Sequence, residues 1–285
     1  MKMLAAAFVA FAVFSSCTQK APAPSARTVH VAIWSGYLPD AIAQAFEKKT
    51  GIKPVISNYS SNEELLAKLQ AGASGYDVVV PSDYMIGVMV KQGMLRTLDR
   101  AELPNAQPLD PKLLKKSFDP DNKYSVPFDW GTTGIAINPT LYKGKVGGWK
   151  ELLEKPDLAG KFTLLDDVRE TMGAALRALG FSINSRKPAE IAKAKELLIK
   201  ARPRLKAFTS EVVPALANGE TAVAQAYNTD ALRARKDSGG KIDFVLPKEG
   251  CTLWIDCFAI PASAPHPAEA HEFIDFMLSP ATGVG

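Results

Sequence analysis

The sequence predicts an α/β fold built on a largely parallel sheet, and three observations carry that expectation. Short β-rich runs alternate with amphipathic helical stretches from Val29 to Gln92. A second alternation of the same kind begins at Phe162. Between them lies an extended stretch, Tyr124 to Asn138, with Gly131 and Gly134 inside it. Strand and helix periodicities taken in turn give a parallel sheet with helices on both faces. The length, 285 residues, suits two compact lobes or one large domain.

In order along the chain, Val29-His30-Val31-Ala32-Ile33 alternates and ends at Trp34, a first strand. Pro39 and Asp40 open a helix with Ile42, Ala45 and Phe46 on one face and Gly51 as its stop. Val55-Ile56 marks a second strand. Ser61 and Glu64 form a capping box, and Leu65, Leu66 and Leu69 make the buried face of the helix that follows. Tyr76 to Pro81 reads as a buried strand that ends at Ser82-Asp83-Tyr84. Met85 to Gln92 is helical and closed by Gly93. The glycines of Tyr124 to Asn138 break a strand, as a hinge or crossover between lobes would. Phe162 to Leu165 is a strand, with helices near Thr171 to Leu179 and Pro188 to Ala201. Thr221 to Tyr227 and Ile242 to Leu246 are further strands. Cys251 to Pro261 is β-rich, and His271 to Leu278 is the last helix.

Ligands of open α/β sheets bind beyond the carboxyl ends of the strands. Those ends are Trp34 to Tyr37, Ser82 to Tyr84, Asp167 to Glu170, Tyr227 to Asp230 and Trp254 to Asp256. Acidic and aromatic residues recur in them, no lysine does, and their one arginine is Arg169. Residues two apart on a strand share a face, so Trp254 and Asp256 stand side by side. An indole beside a carboxylate is a receptor for an ammonium group. The loops together predict a cationic, partly apolar ligand.

Composition excludes other classes. The net charge is +4, but no Lys/Arg block with interleaved aromatics points to nucleic acid. His266 and His271 are five apart, not the i, i+4 spacing of two ligands on one helix face, and read as surface residues. Paired carboxylates could serve glycoside hydrolysis, yet the strand-end pattern explains Asp167, Glu170 and Asp256 more simply. No dinucleotide or phosphate-loop motif is present, and no cofactor or metal is expected. Cys251 and Cys257 flank a strand. Six steps separate them by roughly 20 Å, whereas a disulfide needs Cα atoms within about 7 Å, so no bond is expected.

The N-terminus reads as an export signal. Met1-Lys2 is a positive start, and Met3 to Phe14 is apolar but short for a membrane span. Phe14-Ser15-Ser16-Cys17 resembles the lipobox of bacterial lipoproteins, which implies cleavage at, and lipidation of, Cys17, with 18–28 as a tether.

Ile33-Trp34-Ser35-Gly36-Tyr37, Val80-Pro81-Ser82, Trp130 to Gly134, Leu165 to Glu170 and Trp254-Ile255-Asp256 resemble the periplasmic spermidine/putrescine-binding proteins of ABC importers. Asn58 to Leu69, Phe118-Asp119-Pro120 and Pro247 to Gly250 fit as well, so the similarity runs from about Val29 to Ser279. The resemblance implies a two-lobed type II periplasmic-binding fold with crossover hinge strands. Segment 1–17 would be the signal, 28–133 plus 257–285 the first lobe and 134–256 the second. It further implies that Trp34, Tyr37, Tyr227 and Trp254 box a methylene chain. Ser35, Ser82 and Tyr84 would hydrogen-bond nearby. Glu170, Asp230 and Asp256 would take ammonium groups, with Asp167 a further candidate. Gly36 stands where the family carries an acid, and Asp83 is the candidate replacement. Implied partners are a polyamine and permease subunits, with a lipid as the sole membrane contact. The protein would be monomeric and periplasmic. The family runs some tens of residues further, so this chain is expected to lack late contacts of the second lobe.

Overall fold

The computed structural model describes residues 27–72 and 75–282; Cys17 and the signal segment lie outside them. Strand β1 (Thr28–Trp34) buries Val29, Val31 and Ile33 completely. Helix α1 (Asp40–Thr50) follows it and ends at Gly51, whose φ of 70° is the left-handed cap that glycine adopts freely. Phe46 is its fully buried residue; Ala45, expected beside it, is exposed. Strand β2 (Lys53–Tyr59) pairs in parallel with β1 at the sheet edge, which leaves Val55 and Ile56 partly in solvent. Helix α2 (Asn62–Gln70) is capped by Ser61 Oγ, which accepts from the Glu64 N–H at 3.2 Å. The Glu64 carboxylate takes the Ser60 N–H instead of that of Ser61, so the capping box is displaced by one residue. Strand β3 (Val78–Val79) is parallel to β1 on its other side. Helix α3 (Asp83–Lys91) starts two residues before the expected Met85, which places Asp83 and Tyr84 in its first turn.

Strand β4 (Ser125–Ile137) runs for 13 residues, with one bulge in its register to β9 between Pro127 and Asp129. Beyond it come α4 (Trp149–Glu154), β5 (Phe162–Leu165), α5 (Val168–Ala178), α6 (Pro188–Ala201) and β6 (Ala207–Thr209). Then follow α7 (Val212–Ala217), β7 (Val223–Tyr227), α8 (Asn228–Asp237), β8 (Asp243–Val245), β9 (Thr252–Ala259) and α9 (Pro267–Met277). The strands order as β2-β1-β3-β9-β4-β7-β5-β6, with β8 also on β4. β9 and β4 are antiparallel, from Ser125 opposite Ala259 to Thr133 opposite Thr252. The far end of β4 then pairs with β7 and β8. These two strands carry the sheet from one half of the molecule into the other.

The buried side chains separate on either side of that crossing. Val31, Phe46, Phe258 and Phe273 share one core, and Leu65, Met89 and Ile255 an adjoining one. Trp149, Phe162 and Leu197 form a third, with Leu165, Val212 and Ala226 in a fourth. The first two draw on residues up to 128 and from 255 onward; the others draw on 135–245. Cys251 and Cys257 are both free thiols. Among the described residues no helix is long and apolar enough to cross a membrane.

Two expectations change. His271 is not on the surface: it is 6% exposed, 2.7 Å from the Pro267 carbonyl through Nδ1, and Nε2 accepts the Asp99 N–H at 2.9 Å. Helix α9 begins four residues earlier than expected, and that first turn covers the ring. The glycines of β4 do not interrupt the strand; they let neighbours approach. A Cβ on Gly131 would stand 2.4 Å from the Trp254 ring and 2.3 Å from Asn228 Oδ1. One on Gly134 would stand 2.6 Å from the Phe244 ring. Gly131→Ala is therefore expected to destabilise the protein by about 1–3 kcal/mol through overpacking, read as a lower urea midpoint. An unchanged midpoint would contradict the close approach.

Candidate functional site

The strand ends of both halves open onto one cleft of about 840 Å³. All twelve side chains singled out from the sequence line it: Trp34, Ser35 and Tyr37; Ser82, Asp83 and Tyr84; Asp167 and Glu170; Tyr227 and Asp230; Trp254 and Asp256. The floor comes from β9. Thr252, Trp254 and Asp256 alternate along it and face the cleft together.

Asp256 is 3% exposed and has no cationic partner among the described residues. Tyr37 Oη donates to its Oδ2 at 2.7 Å and Ser82 Oγ to its Oδ1 at 2.6 Å. Asn62 fixes Ser82 in turn: its Nδ2 donates to Ser82 Oγ at 3.0 Å, and its Oδ1 accepts the Ser82 N–H at 2.9 Å. Burial pushes the Asp256 carboxyl up to about 7, against the pull of the two hydroxyls. The charges of Asp129 and Asp83 push the same way as burial. Asp129 lies directly opposite Asp256 on β4.

Glu170 sits in the first turn of α5. Its N–H is taken by Asp167 Oδ1 at 3.0 Å, which makes Asp167 the N-cap of that helix. Its side-chain Oε2 is buried without a well-formed hydrogen bond, and the nearby hydroxyls of Thr133 and Thr252 give it a weak stabilising pull. Burial, and then the charge of Asp167, push the Glu170 carboxyl up to about 7. Asp230, in the first turn of α8, also rises through burial, although the nearby Arg233 opposes that.

The aromatic rings form two groups. Trp34 packs on Tyr59 at 4.7 Å and on Tyr37 at 6.5 Å, with its Nε1–H donated to the Val80 carbonyl at 2.8 Å. Tyr227 stands edge-on to Trp254 at 5.8 Å. The roles expected of the smaller residues differ. Ser35 lies exposed at the rim, and Tyr84 Oη donates to Glu63 at 2.9 Å. Asp83 Oδ1 accepts the neighbouring Tyr84 N–H at 2.6 Å, and burial raises its carboxyl.

The cleft is also less purely acidic than the strand ends alone suggest. Lys91, Arg186 and Arg233 line it besides Arg169. They lie on helices or in a loop away from the strand ends, beyond the segments that the sequence pattern marks. Asn62, Thr133, Thr252 and Asp129 were missed for related reasons. Asn62 follows an N-cap, and Asp129 matters through its partner strand.

Two lobes joined by shared strands, with a cleft between them, define an extracytoplasmic solute-binding protein of the type II fold. The sequence profile of the bacterial extracellular solute-binding proteins matches residues 41–283, and the chain belongs to that family, whose members bind solutes for ABC transporters and are not enzymes. The spermidine/putrescine-binding periplasmic protein 1 of Haemophilus influenzae is 40% identical, over 98% of this chain and 80% of its own length. The putrescine-binding periplasmic protein PotF of Escherichia coli is 37% identical, over 89% of this chain and 74% of its own. Among solved structures, the Tp0655 (TpPotD) lipoprotein of Treponema pallidum superposes with a TM-score of 0.81 at 33% identity, covering 89% of this chain and 81% of its own.

The raised carboxyls make a stability prediction. Unfolded, Asp256 and Glu170 titrate near 3.8 and 4.5; folded, near 7. The folded state therefore holds extra protons between about pH 4 and pH 7, and stability falls as pH rises through that window, then levels. Glu170→Gln removes one of the two titrations. Without ligand, its melting temperature should drop less than that of the wild type between about pH 5 and pH 8. Parallel curves would show that Glu170 is already ionised.

Proposed function

We propose that the protein captures a linear polyamine, putrescine or spermidine, in the interlobe cleft and delivers it to the permease of an ABC importer. The observation that carries this reading is the pair of buried carboxylates, Asp256 and Glu170, in one cleft with the aromatic rings of Trp34, Tyr37, Tyr227 and Trp254. A dication with an apolar spacer answers both features. Its ammonium ends neutralise groups that are costly to bury charged, and its methylenes pack against Trp34, Tyr37, Tyr227 and Trp254. Ser82 and Tyr37 hold the Asp256 oxygens toward the cleft, and Asp167, Asp83 and Tyr84 shape its wall. The relatives named for spermidine and putrescine support the same assignment.

In this reading the lobes are 28–133 plus 257–285, and 134–256, joined through β4 and β9. The protein is a periplasmic monomer, tethered through lipidated Cys17 and residues 18–28. A permease would meet the faces that flank the cleft.

Binding is expected to rise with pH. An ammonium group gains from a carboxylate and not from a carboxylic acid, and both acids titrate near 7 while alkylamines stay protonated. Titration calorimetry should show tighter binding at pH 8 than at pH 6. Trp254→Ala should weaken it by about 2 kcal/mol, a desolvated cation–π contact. Asp256→Asn should cost about 1.5–3 kcal/mol, a charge-assisted hydrogen bond. At 100 times Kd the ligand should add about 2.7 kcal/mol of stability. If putrescine, spermidine and spermine all leave the melting temperature of the folded protein unmoved, the ligand is of another class.

A further inference from the structure

We infer that Arg233 sets ligand length: it stands as a tethered cation at one end of the cleft and favours a diamine over a triamine. This inference rests on the polyamine reading above and deepens it. Arg233 belongs to α8 in the second lobe, yet its Nη2 donates to the Gly36 carbonyl, in the first, at 3.3 Å. Its Nη1 is 3.8 Å from Asp230 Oδ1. Burial raises the carboxyl of Asp129, which faces Asp256 across the strands, and the Arg233 charge partly opposes that rise. The guanidinium therefore sits among Asp230, Asp129 and the Trp34–Tyr37 turn.

The turn is built to admit it. Gly36 has φ +78°, and a Cβ there would stand 3.1 Å from Arg233 Nη1. A side chain at that position would press the guanidinium aside by a few tenths of an ångström, and the positive φ itself favours glycine there.

The charge balance follows. Asp256 and Glu170 are buried with no cationic partner among the described residues, whereas Asp230 already faces a cation of the protein itself. Asp83 and Asp167 also line the cleft without an ion pair among the described residues, but Asp256 and Glu170 are its most deeply buried acids, and two ammonium groups are matched to those two. A third, extended toward Asp230, meets the guanidinium instead, and like charges placed together are strongly disfavoured. The Arg233 side chain is 49% exposed, so solvent screens the repulsion and a moderate preference is expected.

The test is calorimetric titration of putrescine and spermidine into the wild type, Arg233→Gln and Arg233→Lys, with melting curves to establish that each is folded. Arg233→Gln should raise the affinity ratio of spermidine to putrescine about tenfold. Arg233→Lys, which keeps the charge, should hold the ratio near the wild-type value. High salt should shrink the wild-type preference. If both amines bind the wild type and the glutamine variant leaves their ratio unchanged, Arg233 merely pins the turn and the inference is wrong. If the lysine variant shifts the ratio as far as glutamine does, shape rather than charge is responsible, and the inference is equally wrong. If the wild type binds neither amine, the ligand assignment itself falls, and this inference with it.

Discussion

Burying a carboxylate without a cation is the constraint that organises this molecule. Asp256 is almost wholly removed from solvent, and two hydroxyls are its hydrogen-bond donors. Hydroxyl donors steady an ionised oxygen, but they do not repay the desolvation of the charge. The result is a group whose proton affinity is raised far above its ordinary value. The same removal from water that makes the empty site expensive makes it receptive, because a cation there meets a field that solvent does not weaken. Glu170 repeats the arrangement at the other wall, buried with threonine hydroxyls beside it and no ion-pair partner among the described residues.

The crossing strands hold this charge in place. Register alone puts Thr133 opposite Thr252, Gly131 opposite Trp254 and Asp129 opposite Asp256. The β9 member of each couple lines the cleft. Opposite the widest side chain stands the residue with none, so the indole lies down over Gly131. Its neighbour couple is two carboxylates, a pairing that is unfavourable by itself. That local conflict is the kind expected where a chain keeps function at the expense of stability. Because β4 and β9 contribute to both halves, the floor they form stays common to the lobes while the Trp34 turn, α5 and α8 make the walls.

Much of this was legible in the sequence, for a physical reason. Strand periodicity is two, so Trp254 and Asp256 had to share a face, and strand carboxyl ends of an open sheet converge whatever the loops contain. What escaped depends on contacts that local pattern does not encode. Arg233 lies a helical turn beyond Asp230 and acts through a carbonyl almost two hundred positions away. Asn62 is spent on holding Ser82, and Asp129 gains meaning from the strand beside it. Short elements were lost too. β6 has three residues, and α7 contains Pro214, which reads as a breaker until its place in the first turns is known. A helix begun at His271 would leave its ring in solvent, whereas the start at Pro267 adds the turn that covers it.

The contacts across the mouth of the cleft divide labour with those at its floor. Two arginines of the second lobe reach the first: Arg169 lies 4.2 Å over the Tyr84 ring, and Arg233 meets the Gly36 carbonyl. Both are partly solvated, and solvated pairs of this kind are worth little and weaken with salt. Such contacts can register one lobe against the other without holding it there. What opposes closure lies deeper, since bringing the lobes together drives water from Asp256 and Glu170. On the polyamine reading, a ligand that neutralises those acids removes that opposition, and closure follows occupancy. On this account the arginines set how the lobes meet, and the buried carboxylates set when.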